Sequence, residues 1–354
     1  YHWSGVKLMS IMQMFLGAAG AGEETIEDLF QTKLWTGSSS TITVSDGVKN
    51  LSKGGLLWIK RRNGTGDGSA GSDESSPHFL FSTEHLATST TSDEYLNTDS
   101  NNPLATLDST GTITWTNSGY TVPSGNSDIN ENGDGDYVAW NFRKGEGFFD
   151  IVKWDGNSTN RTIPHELGSV PGFIMVKSHV AGTGGTGWMC YHRSSGATKF
   201  YRMDTDREEQ DNDTVWNDTE PTSLVFTVGT HEDVNTSTNS REYIAYVFGH
   251  TDGLIDCGTY NGDSSDQTVD CGFSNGSSWI MVKPVGADSW WVFDVERGIT
   301  TGNDPQLYAG GGDLEDTGNN NVKPHSSGFI VTGSSEISNS DGRQYVYVAI
   351  AEPD

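Results

Sequence analysis

Four bulky apolar residues closed by a lysine occur three times in this chain: "LLWIK" (Leu56–Lys60), "FIMVK" (Phe173–Lys177) and "WIMVK" (Trp279–Lys283). Much else repeats in step with them. Upstream stand "LWTGSSSTITV" (Leu34–Val44), "KWDGNSTNRTI" (Lys153–Ile163) and "TYNGDSSDQTV" (Thr259–Val269). Each has an aromatic residue, one spacer, a glycine, a polar turn and a β-branched run. The spacing from that glycine to the lysine is 23, 21 and 21 residues. Downstream come the aromatic runs "HFLFS" (His78–Ser82), "WMCYH" (Trp188–His192) and "WWVFD" (Trp290–Asp294). A tyrosine-led run closes each block, with its tyrosine at 137, 243 and 345, a period of 106 and then 102 residues. Self-similarity at a near-constant period constrains the fold more than any single motif.

The repeat divides the chain into a short N-terminal segment, 1–29, and three units, 30–145, 146–252 and 253–354. Each unit offers short runs rich in aromatic and β-branched residues, separated by Gly, Ser, Asn and Asp. That pattern spells strands and turns, and a unit of roughly 100 residues fits a β-sandwich. The expected fold is therefore all-β: three tandem sandwiches, jelly-roll or lectin-like. The 11 Trp, 12 Tyr and 14 Phe separate the chain from disordered sequences, which are poor in aromatics.

In this reading the apolar residues form a core strand, and Lys60, Lys177 and Lys283 stand where that strand leaves the core. Such a lysine lays its stem on apolar surface and keeps its ammonium in water or on a carboxylate. Three copies point to a structural role, since an enzyme needs one site. Replacing Lys177 with Met is then expected to change stability by no more than about 0.5 kcal/mol.

Charge narrows the partners. The formal net charge is −27, from 48 acidic against 21 basic residues, which disfavours nucleic-acid phosphates and anionic membrane surfaces. No apolar run approaches the roughly 20 residues of a membrane span. The start, "YHWSGVKLMSIMQMFLGAAGAG", resembles a signal peptide only in its apolar stretch and small residues, and is read as a docking or assembly segment. It places apolar residues too densely for an exposed tail, so a homo-oligomer, or docking on another protein through residues 1–29, is expected.

Candidate chemistry is sparse. "DINENGDGDYVA" (Asp128–Ala139) has the opening of a calcium loop, with oxygen ligands at Asp128, Asn130 and Asn132 before Gly133. Ala139 stands where such a loop needs its bidentate Glu, and a hairpin turn has the same spelling. Calcium is the one cofactor the sequence suggests; otherwise none is expected. His165, His192 and His231 lack ligand spacing. No catalytic triad order, phosphate-binding glycine loop or glycosidase carboxylate pair stands out, so the chain reads as non-enzymatic. Cys257 and Cys271 lie at equal distance from the turn "NGDSSDQ" and would face each other in an antiparallel hairpin, within reach of a disulfide; two packed thiols is the other reading. Cys190 reads as core. Trp188, Trp290 and Trp291 read as packing residues, with sugar stacking in a lectin module as the alternative.

Several stretches carry a family likeness: "GNSTNRTIPHELGSVPGFIMVK" (Gly156–Lys177), "YHRSSGATK" (Tyr191–Lys199), "WNDTEPTSLVFTVGT" (Trp216–Thr230) and "YIAYVFGH" (Tyr243–His250). "YVAWNFRKGEGFFDIVKWDGN" (Tyr137–Asn157) and "MFLGAAGAGEETIEDLF" (Met14–Phe30) add to it. They resemble a repeated domain of unknown function found in tail-fibre and other virion structural proteins of tailed phages, especially phages of marine bacteria. The likeness is closest in the middle unit. The third departs from it, with "GSSW" (Gly276–Trp279) in place of the proline-containing "SVPGF". The resemblance implies a virion component on the particle surface or tail, made in the host cytoplasm. Its partners would be other virion proteins and host surface glycans, and the family brings no catalytic residues. A lectin module is the alternative, a glycan-degrading enzyme a more distant one. Synthesis in a reducing cytosol favours free thiols over a Cys257–Cys271 bridge.

Overall fold

A computed structural model describes residues 24–353 except 46, 50–52, 65–75, 86–92, 108–110, 127, 134, 180–185 and 301. The fold is all-β, with antiparallel sheets and a few single-turn helices. In the first unit four strands lie in the order opening (Phe30–Thr36), closing (Asp136–Arg143), lysine (Gly55–Arg61) and aromatic (His78–Ser82). The second unit has the same order: Phe149–Asp155, Glu242–Phe248, Phe173–Ser178, Met189–His192. So does the third: Ile255–Asn261, Gln344–Ala351, Ser277–Pro284, Trp291–Asp294, with Leu307–Tyr308 added at the edge. Register agrees as well. Lys60 lies opposite Val138, Lys177 opposite Ile244 and Lys283 opposite Val346.

Smaller sheets cover the outer face of these main sheets. They are Ile42–Val44 with Gly119–Val122 and Thr114–Thr116, then Arg161–Pro164 with Val225–Val228, then Gln267–Asp270 with Gly328–Val331 and Val322–His325. Side chains alternate along a strand. Leu57, Ile59, Tyr137 and Ala139 point to the first unit's own core with Val44, Tyr120 and Val122. Ile174, Val176, Tyr243 and Ala245 do the same in the second unit, and Ile280, Val282 and Tyr345 in the third.

The inner faces differ from the sequence expectation. A free-standing sandwich leaves the outward face of its strands to water. Here Leu56, Trp58, Trp140 and Phe142 meet Phe173, Met175, Tyr246 and Phe248 and also Trp279, Met281, Val348 and Ile350 in one shared core. The Phe142 ring lies 5.4 Å from that of Phe248 and 5.9 Å from that of Trp279, touching both other units. The helix Ile26–Leu29 adds Ile26 and Leu29 to this core. The three lysine strands are therefore buried on both faces along their whole length. Strands covered on both sides read as unbroken apolar runs, which is why "LLWIK", "FIMVK" and "WIMVK" lack a polar alternation.

A second repeated device fixes the outer turns. The aromatic residue before each early glycine stacks on the closing tyrosine: Trp35 on Tyr137 (5.5 Å, 10°), Trp154 on Tyr243 (5.6 Å, 16°) and Tyr260 on Tyr345 (5.1 Å, 9°). The backbone N–H groups of Gly37, Gly156 and Gly262 donate to Gly135, Arg241 and Arg343, each two residues before that tyrosine. A Cβ at Gly156 would lie 2.0 Å from the Thr236 carbonyl oxygen, and one at Gly262 2.2 Å from that of Ser340. Only glycine permits such an approach.

Beside each tyrosine sits a buried asparagine. The Asn130 amide donates to Ser40 and Pro123 carbonyls while its oxygen accepts from the Ser38 N–H. Asn235 makes the same three bonds to Thr159, Gly229 and Asn157, and Asn339 to Ser265, Thr332 and Asp263. Replacing Asn235 with Ala strands three backbone groups, and an unsatisfied buried group costs about 1–3 kcal/mol. Asn235→Ala is expected to destabilise by at least about 2 kcal/mol in urea denaturation. An exposed change such as Asn160→Ala, measured in parallel, should stay within about 0.5 kcal/mol.

Candidate functional site

Alternation places Lys60, Lys177 and Lys283 on the inner face of their strands, and all three are fully buried. This corrects the expectation of a half-exposed ammonium. The lysine strand does not leave a core at its lysine; it passes into the seam between two units. Lys60 Nζ donates to Ser76 O in its own unit and, at 2.9 Å, to Gly312 O of the third unit. Lys177 Nζ donates to Thr186 O in its own unit and, at 3.1 Å, to Ser100 O of the first. Lys283 Nζ donates to Asp288 O and lies 6.0 Å from the centre of the Tyr201 ring in the second unit. Ser76, Thr186 and Asp288 each stand two residues before the aromatic that leads the next run, His78, Trp188 or Trp290.

Those aromatics cross the same seams. Trp188 Nε1 donates to Asn97 O at 2.8 Å and Trp290 Nε1 to Arg202 O at 2.9 Å. His78 takes this place in the first unit. Its Nδ1 accepts from Trp58 Nε1 (2.8 Å), so its Nε2 carries the proton and donates to Tyr308 O at 2.9 Å. Two residues beyond each lysine a carbonyl completes the set. Arg62 O, His179 O and Val285 O accept from the backbone N–H groups of Glu315 (2.9 Å), Leu104 (3.2 Å) and Glu209 (2.8 Å). Each unit thus grips the one before it, and the first grips the third.

The seam between the third and first units carries an additional network. Asp294 accepts from Trp140 Nε1 at 2.9 Å and pairs with the buried Arg297. Arg297 stacks over Trp140 at 5.5 Å and reaches Glu315, which also takes a two-pronged bond from Arg62 at 2.9 and 2.8 Å. The other seams are joined covalently by the links after Arg143 and after Phe248; this one is held, among the described residues, by side chains and backbone hydrogen bonds.

Burial pushes the lysines down, Lys60 to about 7 and Lys177 and Lys283 to about 8. The shift follows from desolvation, which disfavours an ammonium; neighbouring carboxylates such as Asp99 beside Lys60 oppose it in part.

The remaining candidates are dispersed. Asn130 is the structural asparagine described above, with counterparts at Asn235 and Asn339 where no calcium spelling occurs. Its carboxamide is committed to backbone groups, whereas Asp128 and Asn132 lie on the exposed part of the turn. Among the described residues no group of three or more His, Cys, Asp or Glu is placed to hold a metal. The expected hairpin around "NGDSSDQ" does not form: Ile255–Asn261 pairs with Gln344–Ala351 and Gln267–Asp270 with Gly328–Val331, in different sheets. Cys257 therefore points into the shared core and Cys271 into the third unit's own core, and both thiols are free, as is that of Cys190. His192 donates across a seam to Tyr347 O (3.0 Å), His165 bonds Thr222 O and His231 caps a helical turn at Asp233. Trp188 and Trp290 are sealed within seams, while Trp291 is half-buried 5.8 Å from Tyr308. A cleft of about 950 Å3 opens where the links between units meet, lined by Glu24, Glu27, Glu146, Asp252, Leu254 and Glu352. Residues 1–23 and most of the glycine- and serine-rich loop between Arg62 and Ser76 lie outside the described residues.

Fold and seams define a class: an all-β protein in which three like-ordered units close on one core. The chain belongs to the family described as Domain of unknown function (DUF7483), whose model matches residues 26–353 and so takes in all three units together. No curated protein matches the chain. No helix among the described residues is long and apolar enough to cross a membrane.

Two outcomes follow for the lysines. Lys177→Met leaves Thr186 O and Ser100 O without their donor, so it should cost about 1–3 kcal/mol for each carbonyl left unsatisfied, rather than be neutral. Denaturant midpoints at constant slope measure this. Their depressed values also fix a pH dependence. Unfolded lysine titrates near 10.4, so between about pH 8 and 10 the unfolded chain binds more protons than the folded one. Stability should rise with pH across that window, and Lys60→Met should flatten the rise in melts at pH 7.5 and 9.5.

Proposed function

We propose that the protein is a non-enzymatic structural component of a tailed-phage virion, displayed as a tail fibre, spike or capsid-surface appendage. The observation that carries this reading is the commitment of its repeated polar residues to architecture. The lysines, the seam aromatics and the buried asparagines each bind backbone groups of the same or a neighbouring unit. Such spending of polar groups suits a part that must hold its shape. The sequence resemblance described above supports the virion setting, and the strongly acidic composition suits a solvated particle surface.

Residues 1–22 are proposed as the attachment segment. Deleting them should abolish incorporation into particles while leaving the melting transition of the remainder unchanged. Incorporation equal to that of the full chain would remove the segment from this role. Polysaccharide and ester substrates should show no turnover above background, and a turnover abolished by one substitution would overturn the non-enzymatic reading. A glycan array tests whether the exposed surface contacts host sugars.

A further inference from the structure

The three seams are built to one plan, and one position in that plan is filled in three ways. The last residue of the aromatic strand is Ser82, His192 or Asp294, and three residues later stand His85, Ser195 or Arg297. In the seam between the third and first units, Asp294 and Arg297 form a buried ion pair. In the seam between the second and third units, His192 bonds the Tyr347 carbonyl and Ser195 bonds the Tyr201 hydroxyl at 2.7 Å. In the seam between the first and second units no ion pair among the described residues fills this place. His85 instead faces His179, with ring centres 5.3 Å apart and both rings buried, and among the described residues neither nitrogen of His85 has a hydrogen-bond partner.

We propose that the His85–His179 pair makes the seam between the first and second units an acid-sensitive latch, closed near neutral pH and opened when the two imidazoles take up protons. The charged groups facing the pair explain the direction. Lys153 lies on the opening strand of the second unit and is held by Glu84, donating to its carbonyl at 2.9 Å with its carboxylate at 3.8 Å. Its positive charge disfavours a second cation beside it. Glu242 approaches His179 Nε2 at 3.5 Å, but its side chain is half exposed, so it is a weak counter-charge for a buried imidazolium. Burial holds His85 down to about 3 and His179 to about 4, with His85 further lowered by His179 and both by Lys153. The sign follows directly. Both groups are neutral in the closed seam, and in an opened seam each returns towards the ordinary value near 6.5. Acid therefore favours the open form. At pH 5.5 each released imidazole is about tenfold more protonated than neutral, so two of them favour opening by roughly 100-fold. The other seams each enclose one buried imidazole bonded to a carbonyl, His78 or His192, and gain roughly tenfold on the same basis.

Hydrogen exchange of the full-length protein at pH 7.5 and 5.5, corrected for intrinsic rate, reads this directly. The Leu104 N–H bonds His179 O across the proposed latch, while those of Glu315 and Glu209 bond Arg62 O and Val285 O across the other seams. Opening at Leu104 should rise roughly 100-fold on acidification, and at least several-fold more than at Glu315 or Glu209. Equal changes at all three amides, or none at Leu104, would overturn the proposal. His85→Gln with His179→Gln should reduce the Leu104 response to that of the other seams. A second variant, Ser82→Asp with His85→Arg, transplants the ion pair of the third seam and should do the same. An undiminished acid response in either folded variant sinks the latch, and in the unaltered chain the two imidazoles must titrate together with the exchange transition.

Discussion

Burial of the lysine strand on both faces is the constraint on which the rest of this structure depends. One face is covered by the unit's own small sheet and the other by two neighbouring units, so every residue from Phe173 to Ser178 is buried. A lysine on the inner face of such a strand must find acceptors inside the protein, because an unpaired buried ammonium is costly. Backbone carbonyls at Ser76, Thr186 and Asp288 meet that need from within each unit, and Gly312 and Ser100 from across a seam. The same side chain that would destabilise a lone sandwich thereby selects the partner surface. Carbonyls accept from an ammonium without introducing a second buried charge, which avoids the desolvation cost of a buried carboxylate.

The seams show how a covalent link can be replaced. Where the chain runs directly from one unit to the next, the repeated bonds are joined by single contacts such as Lys153 with Glu84 and His192 with Tyr347. Where the third unit meets the first, Asp294, Arg297, Glu315 and Arg62 add a connected ionic network capped by Trp140. Buried charges of this kind lose heavily if one partner is removed, so the network is all-or-none. It defines the geometry of closure more sharply than apolar packing would.

Part of this was legible in the sequence. The repeat, the all-β class, the glycines at 37, 156 and 262 and the lysines at 60, 177 and 283 could be aligned by eye, because each sits at a near-fixed distance from its neighbours. Lysine burial was not legible. A run such as "FIMVK" has the same spelling in a strand that ends at the surface and in one that enters a seam, and the cross-seam carbonyls that receive Lys177 and Lys60 lie in loops with no shared wording, around Ser100 and Gly312. The buried asparagines carry no repeat signal in the sequence because they precede the closing tyrosine by seven, eight and six residues. Asn130 was further disguised by a calcium-like setting. The cysteine hairpin misled for a related reason: equal spacing about a turn implies pairing only when both arms join one sheet, and here they join two.

Around the shared core each unit meets its neighbour through a lysine, a ring N–H and a carbonyl at matching positions, although His78 replaces tryptophan in the first unit and Lys283 crosses its seam only to the Tyr201 ring. Glu24 and Glu352 line one cleft together with Glu146 and Asp252 of the two links. In architectural terms the three units form a ring about the shared core, with a peptide link at two seams and the ionic network at the third.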